Sequence, residues 1–319
     1  MNRDTLIRRL ERTGQEAVAR HLEQLDPPAR ERLEAQLAGF DYALVERLAS
    51  VAKAGGPPGT VGEFEPAPVV PLRRPPEEID AARRAGEEAI RAGTVAAFVV
   101  AGGQGSRLGY DGPKGCYPIG PLSGKSLFQI HAEKVLAAGR RYGADIPLYV
   151  MTSGTNDAAV RRFFEQNDHF GLAARDVFFC RQRMIPAFDQ SGRFLLEAPD
   201  RVFVNPDGHG GSYHALSASG AFDHMAGRGI ERISYFQVDN PLVPAVDPLF
   251  VGEHVRRGSE MSSKVLEKRD ALEKLGVFGY VDGELRVVEY SDMSEELQRR
   301  RRPDGSLRYR YGSIAVHVI

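Results

Sequence analysis

Apolar residues in the first fifty positions recur at helical spacing. Leu6, Leu10, Val18, Leu22 and Leu25 follow one another at steps of three, four or eight residues, which lays a single stripe along a helix. Pro27-Pro28 is expected to break that helix. Leu33, Leu37 and Phe40 continue the spacing in a second one, and Asp41 is placed to cap a third that carries Val45, Leu48 and Val51. From Ala54 to Pro76 the chain turns to glycine and proline: Gly55-Gly56-Pro57-Pro58, then Pro66, Pro68, Pro71 and Pro75-Pro76. This composition reads as a linker or as an extended arm lying across another surface.

Beyond about residue 80 the pattern alternates between helix and strand. A helix from Ile79 to Ala92 precedes the β-rich run Val95-Ala96-Ala97-Phe98-Val99-Val100. Further short apolar runs stand at Leu148–Met151, Val177–Cys180, Val202–Val204 and Ile233–Val238, separated by helical patterns such as Gln129–Gly139 and Asp157–Gln166. Near-continuous apolar strands alternating with amphipathic helices predict an α/β fold, with a mostly parallel sheet covered on both faces. Val277–Val281, Asp282-Gly283 and Glu284–Tyr290 read as a hairpin with an Asp-Gly turn. The final Ile314–Ile319 reads as a strand with no polar tail, and the chain is therefore expected to be cut short. The domains expected are a helical region at 1–53, a linker or arm at 54–79 and a core at 80–319.

Composition narrows the function classes. Among 319 residues, 42 Lys+Arg oppose 43 Asp+Glu for a formal net charge of −1, so nothing in the overall balance would offset nucleic-acid phosphates. The N-terminus lacks the apolar core of a signal peptide, and no run approaches the ~20 apolar residues of a membrane span. Cys116 and Cys180 are too few for a disulfide scaffold and point to a reducing, cytoplasmic setting. The eight histidines show no zinc spacing. Arg299–Arg302 is read as a solvated helix end rather than a nucleic-acid patch.

The first strand of the core runs into Ala101-Gly102-Gly103-Gln104-Gly105-Ser106-Arg107-Leu108-Gly109, with Pro113-Lys114 following. Glycines let main-chain N–H groups approach an anion, and Arg107 and Lys114 add cations to the same loop. At the carboxyl end of a strand in an α/β sheet, this reads as a phosphate site, the alternative being a merely structural glycine turn. A dinucleotide fingerprint fails because Leu108 stands where its third glycine belongs. A P-loop fails because only three residues separate Gly120 from Gly124-Lys125-Ser126. On the residues alone, Asp239 reads equally as a helix cap after a strand, Gln182 as a surface residue, Pro206-Asp207-Gly208 as an ordinary turn and Glu289 as solvent-facing.

The glycine loop, Pro113-Lys114-Gly115 and Leu127-Phe128-Gln129-Ile130 resemble the signature of eukaryotic-type UDP-N-acetylglucosamine pyrophosphorylases. So do Met184-Ile185-Pro186-Ala187, Pro206-Asp207-Gly208-His209-Gly210-Gly211, Val238-Asp239-Asn240 and Val287-Val288-Glu289-Tyr290-Ser291. The resemblance covers nearly the whole chain in order. It implies a Rossmann-like nucleotidyltransferase core that converts UTP and a sugar 1-phosphate into a UDP-sugar and pyrophosphate with Mg²⁺. Ala101, Gly102 and Gly103 would hold the nucleotide, and Arg107 and Lys114 the departing phosphates. Asp239 would hold the metal, Gln182 would read uracil, and Gly208 would let the backbone approach the base or ribose. His209, Glu289, Tyr290 and Ser313 would line the sugar site.

The wider family also contains UDP-glucose and broad-specificity enzymes, and a non-catalytic UDP-sugar-binding protein is the reading from another class. His209 occupies a position usually held by Asn in the acetylglucosamine enzymes, whereas the glucose enzymes tend to carry Gly-His-Gly there. Ser313 replaces an Asn that contacts the sugar in the family, and its shorter hydroxyl bears on N-acetyl selectivity. The family also continues beyond the last strand with a further strand, a phosphate-binding lysine and a small β domain. The chain is thus expected to be a fragment, poorly active alone.

Overall fold

The computed structural model describes residues 2–55 and 61–319; Gly56-Pro57-Pro58 of the expected linker lie outside the described residues. Two compact units appear, one formed by Met1–Gly59 with Met184–Asp207, the other by Thr60–Arg183 with Gly208–Ile319.

In the first unit the apolar stripe is carried by two helices, Arg3–Arg12 and Glu16–Gln24, rather than by one. The break falls at Gln15, whose buried side chain leaves the helical ladder: its amide donates to the Gly192 carbonyl at 2.8 Å and accepts from Phe194 N at 2.8 Å. Pro27-Pro28 opens the next helix, Pro27–Ala38, under an Asp26 cap. Asp41 caps Tyr42–Lys53 by accepting from Ala43 N and Leu44 N. That helix buries Tyr42, Val45 and Ala49, a face rotated from the expected one, since Val51 is exposed. The run at 202–204 does not join the main sheet. Its residues fall in the two-stranded pieces Leu196–Ala198 with Arg201–Val202 and Met184–Pro186 with Val204–Pro206. Val202 is buried with Leu10, Leu22, Leu33 and Leu37 in this unit's core.

The second unit is organised by a sheet of nine strands among the described residues. Its parallel part runs Arg232–Gln237, Val95–Val100, Leu148–Thr152, Val177–Arg181 across the sheet. Alternate residues of the central strand enter two cores: Val95, Ala97 and Val99 on one face, Ala96 and Phe98 on the other. Burial on both sides accounts for the unbroken apolar run. Helices Pro76–Arg91, Leu127–Tyr142, Asp157–Gln166 and Pro248–Arg257 supply the larger face, and Ser212–Ala218 with Ala221–Gly227 the smaller. Because the fourth of these parallel strands in chain order lies beside the first, the strand order reverses between Val95–Val100 and Arg232–Gln237. In such sheets ligands bind beyond the carboxyl ends at that point.

Antiparallel strands extend the sheet from there. Tyr311–Val318 pairs with Arg232–Gln237, placing His317 opposite Tyr235, and also pairs with Ser262–Glu267. Val277–Val281 follows, joined to Glu284–Val288 by the Asp282-Gly283 turn. The hairpin's second strand stops at Val288, and Glu289-Tyr290 leave it for the turn Tyr290–Asp292. The described end of the Gly/Pro segment adds Glu65–Pro66 to the hairpin. Among the described residues no helix is long and apolar enough to cross a membrane.

Candidate functional site

The backbone ladder outlasts the parallel strands. Ala101 N donates to Met151 O at 2.8 Å, Gln182 N to Thr152 O at 2.8 Å and Val238 N to Val100 O at 3.0 Å. The residues after each strand therefore leave the sheet side by side at its carboxyl end. Gln182 is only 5% exposed, which removes the surface reading. Its side chain lies over Gly102, where a Cβ would overlap the Gln182 amide. A larger residue at that position would have to displace the Gln182 amide, and the two residues form one wall.

The glycine loop is folded on itself. Lys114 N donates to Gly103 O at 3.1 Å and Gly105 N to Gly112 O at 2.8 Å. A residue not singled out from sequence holds it to the sheet. Asn156, 1% exposed, donates through Nδ2 to Ala101 O at 2.9 Å and accepts from Ser153 N at 2.8 Å. It stands directly before the helix Asp157–Gln166. Yet its side chain makes no cap hydrogen bond to that helix and spends itself on the loop instead.

Lys114, delivered by the loop, and Asp239, delivered by the neighbouring strand, meet at 2.9 Å. Both are partly open to solvent, with side chains 23% and 42% exposed, so ligand can reach them. Asp239 caps no helix; the next one, Pro248–Arg257, is capped by Asp247. His131 on Leu127–Tyr142 steadies this corner from within, Nε2 donating to the Val238 carbonyl at 2.9 Å. Burial lowers its pKa to about 4, leaving the ring neutral. Arg107 stands exposed on the turn Ser106–Leu108, in the same loop.

Gly208 takes φ 67° and ψ −153°, a backbone conformation open essentially to glycine alone, and it starts the turn His209–Gly211. His209 Nδ1 shares a 2.6 Å hydrogen bond with the Tyr235 hydroxyl, which also lies 3.1 Å from Ser212 Oγ. Desolvation lowers the His209 pKa, and the Asp239 carboxylate pulls it the other way. Tyr235 has no signal in the sequence beyond its place in a strand.

Glu289 and Ser313 come together through Gly276. Val288 pairs with Val277, so Glu289 returns level with Gly276, where a Cβ would stand 3.1 Å from its Oε1. Ser313 N donates to the Gly276 carbonyl at 2.7 Å, and Ser313 Oγ accepts from Ala315 N at 3.4 Å. Because Tyr311–Val318 runs antiparallel to Arg232–Gln237, Ser313 lies toward the end of the sheet that carries Asp239. Tyr290 is half-buried, and its carbonyl accepts from Gln298. Among the described residues no group of three His, Cys, Asp or Glu side chains could hold a metal ion.

A family model described as UTP–glucose-1-phosphate uridylyltransferase matches residues 74–304. The chain is 36% identical over 326 residues to a UDP-N-acetylhexosamine pyrophosphorylase-like protein 1 of Xenopus tropicalis, covering 97% of this chain and 64% of that protein. It is 41% identical over 238 residues to UDP-N-acetylglucosamine pyrophosphorylase of Saccharomyces cerevisiae, covering 73% of this chain and 50% of that protein. The crystal structure of uridine diphosphate N-acetylglucosamine pyrophosphorylase from Trypanosoma brucei, solved with an inhibitor, superposes with a TM-score of 0.83 at 31% identity, over 100% of this chain and 66% of that one. The chain thus spans a little under two thirds of the length of the first of these relatives.

Proposed function

Because the chain belongs to the UTP–glucose-1-phosphate uridylyltransferase family, we propose that it transfers the uridylyl group of UTP to a sugar 1-phosphate, releasing pyrophosphate. N-acetylglucosamine 1-phosphate is the acceptor proposed. The observation that carries this reading is the Lys114–Asp239 pair, set beside the Gly102–Gln182 wall at the sheet's reversal point.

In this reading a sugar phosphate oxygen attacks the α-phosphorus of UTP in line with the departing pyrophosphate. Such chemistry depends on positioning and charge neutralisation more than on a strong base. Ala101, Gly102 and Gly103 hold the nucleotide through main-chain groups, while Gln182 offers an amide donor and acceptor to the uracil edge. Lys114 exchanges the Asp239 carboxylate for phosphate oxygens, and Arg107 meets the outer phosphates from the exposed turn. Asp239 so released suits Mg²⁺. That cation keeps most of its waters and needs one or two carboxylates plus substrate phosphates rather than a protein cage. Bound there, it would neutralise phosphate charge. Gly208 lets the backbone approach the nucleoside. Glu289 accepts from sugar hydroxyls, and His209, Tyr290 and Ser313 complete the sugar side. With Cys116 and Cys180 both free and buried, the proposed setting is the cytoplasm.

Glucose 1-phosphate is the second acceptor, favoured by Ser313, whose hydroxyl is engaged with Ala315 N and reaches less far than an amide. The test is pyrophosphate release from UTP and Mg²⁺ over glucose, galactose, N-acetylglucosamine and N-acetylgalactosamine 1-phosphates, run on this chain and on the gene's full-length product. Fastest turnover with an acetylated sugar supports the first acceptor, and preference for glucose the second. Mg-UTP binding without turnover in either form would replace both with a UDP-sugar-binding protein.

A further inference from the structure

The arginine run near the end of the chain joins a surface that the transfer reaction leaves unused. Segment 267–272 and Arg299, Arg301 and Arg310 enclose a cleft of about 430 Å³. Its lining sets five cations, Lys268, Arg269, Arg299, Arg301 and Arg310, against two carboxylates, Glu267 and Asp270. The carboxylates are engaged: Glu267 Oε1 stands 3.6 Å from Arg310 Nη1, and Asp270 Oδ1 accepts from Leu272 N at 2.8 Å.

Arg310 and Lys268 both line this cleft. The Arg310 Nε is buried with no hydrogen-bond partner, although its guanidinium is fixed over the Tyr311 ring at 4.8 Å. A buried donor left unmade is costly, and a charge-assisted acceptor would satisfy it. Lys268 is 6% exposed, and its amine donates to the Ala271 carbonyl at 2.9 Å, a neutral partner. Burial pushes its pKa down, while the Glu273 and Asp270 carboxylates act the other way.

We propose that this cleft binds a phosphate group, as inorganic phosphate or as a small phosphate ester, at a site separate from the glycine loop. Lys268 is the buried donor and Arg310 a partly buried one, and Arg269 and Arg301 close over the anion from the exposed rim. The proposal is independent of the uridylyl-transfer reading.

The test is hydrogen–deuterium exchange of the whole chain titrated with inorganic phosphate or with glucose 6-phosphate, which carries no 1-phosphate to react. Saturable protection of 267–272 and 299–310 is expected, unchanged in Lys114→Met. In the Arg269→Gln/Arg301→Gln variant, at two exposed positions and with an unchanged melting temperature as the check on folding, affinity should fall at least about tenfold. Tighter binding of glucose 6-phosphate would identify an ester-binding site, and equal binding a site for the phosphate group alone. Protection confined to 101–116, no protection with either anion, or undiminished binding by the double variant would overturn the proposal.

Discussion

The parallel and antiparallel halves of the main sheet present their candidate residues by different means. On the parallel side the chain leaves the strands along a continued backbone ladder, Gln182 is buried against Gly102, and Asn156 pins the loop. On the antiparallel side Glu289 is exposed just past a strand end, and Ser313 is bonded to its own strand by a long contact. The first arrangement is tied down by buried side-chain hydrogen bonds. The second leaves the Glu289 and Ser313 side chains at least partly open to solvent and is the more permissive of the two. In the proposed reaction, chemistry common to every acceptor falls to the rigid half, and choice of sugar to the permissive one.

The contrast is broken most severely at Lys114. Lys114→Met should lower kcat for pyrophosphate release by about 100- to 1,000-fold, as loss of a group that stabilises developing charge does, with the melting temperature little changed. Equal turnover would remove the rigid half from the chemistry.

Each half also hides a neutral histidine, His131 against Val238 and His317 beside Ser263, both with pKa lowered by burial to about 4. His209 adds to the lowering at His317, while at His131 the Val238 hydrogen bond and Asp239 oppose the burial. The unfolded chain binds protons near pH 6.5 that the folded one refuses until about 4. Stability is thus full above pH 6.5 and falls as pH drops through that window, by up to about 3 kcal/mol per ring. Denaturant unfolding at stepped pH reads this directly, and a flat profile from pH 6.5 to 4 would contradict it.

Asn156→Ala should cost about 1–3 kcal/mol by leaving the Ser153 N–H and the loop carbonyls short of partners. The Michaelis constant for UTP should rise with it. An unchanged melting curve and Michaelis constant would mean that the loop holds itself. The smallest effect sharpens the permissive side: Ser313→Asn should shift the ratio of kcat/KM for N-acetylglucosamine 1-phosphate over glucose 1-phosphate upward by about fivefold, worth one neutral hydrogen bond. No shift would move selectivity to His209 and Glu289.

Much of this was legible from the chain. The strand Val95–Val100, the glycine loop at its end, the cap at Asp41 and the Asp-Gly hairpin all announce themselves through local spacing. Asn156 and Gln15 did not, because a polar residue beside a helix reads as a cap or as a solvated position whatever its side chain reaches. Asn156 reaches 55 residues back to Ala101, and Gln15 reaches 179 residues forward to Phe194. Val202 misled for the same reason: a short apolar run states that it is buried without stating in which core.

The sequence by itself determined the elements of the parallel core and the residues gathered at its carboxyl end, because hydrophobic period and turn chemistry act within a few residues. Only the tertiary structure decided which side chains those residues face. It put Gln182 over Gly102, set Glu289 and Ser313 around Gly276, and brought helices Pro76–Arg91 and Pro248–Arg257 so close that a Cβ on Gly86 or Gly252 would overlap the other helix's backbone. Such contacts depend on where distant segments arrive once packed, and no local pattern in the chain encodes that distance.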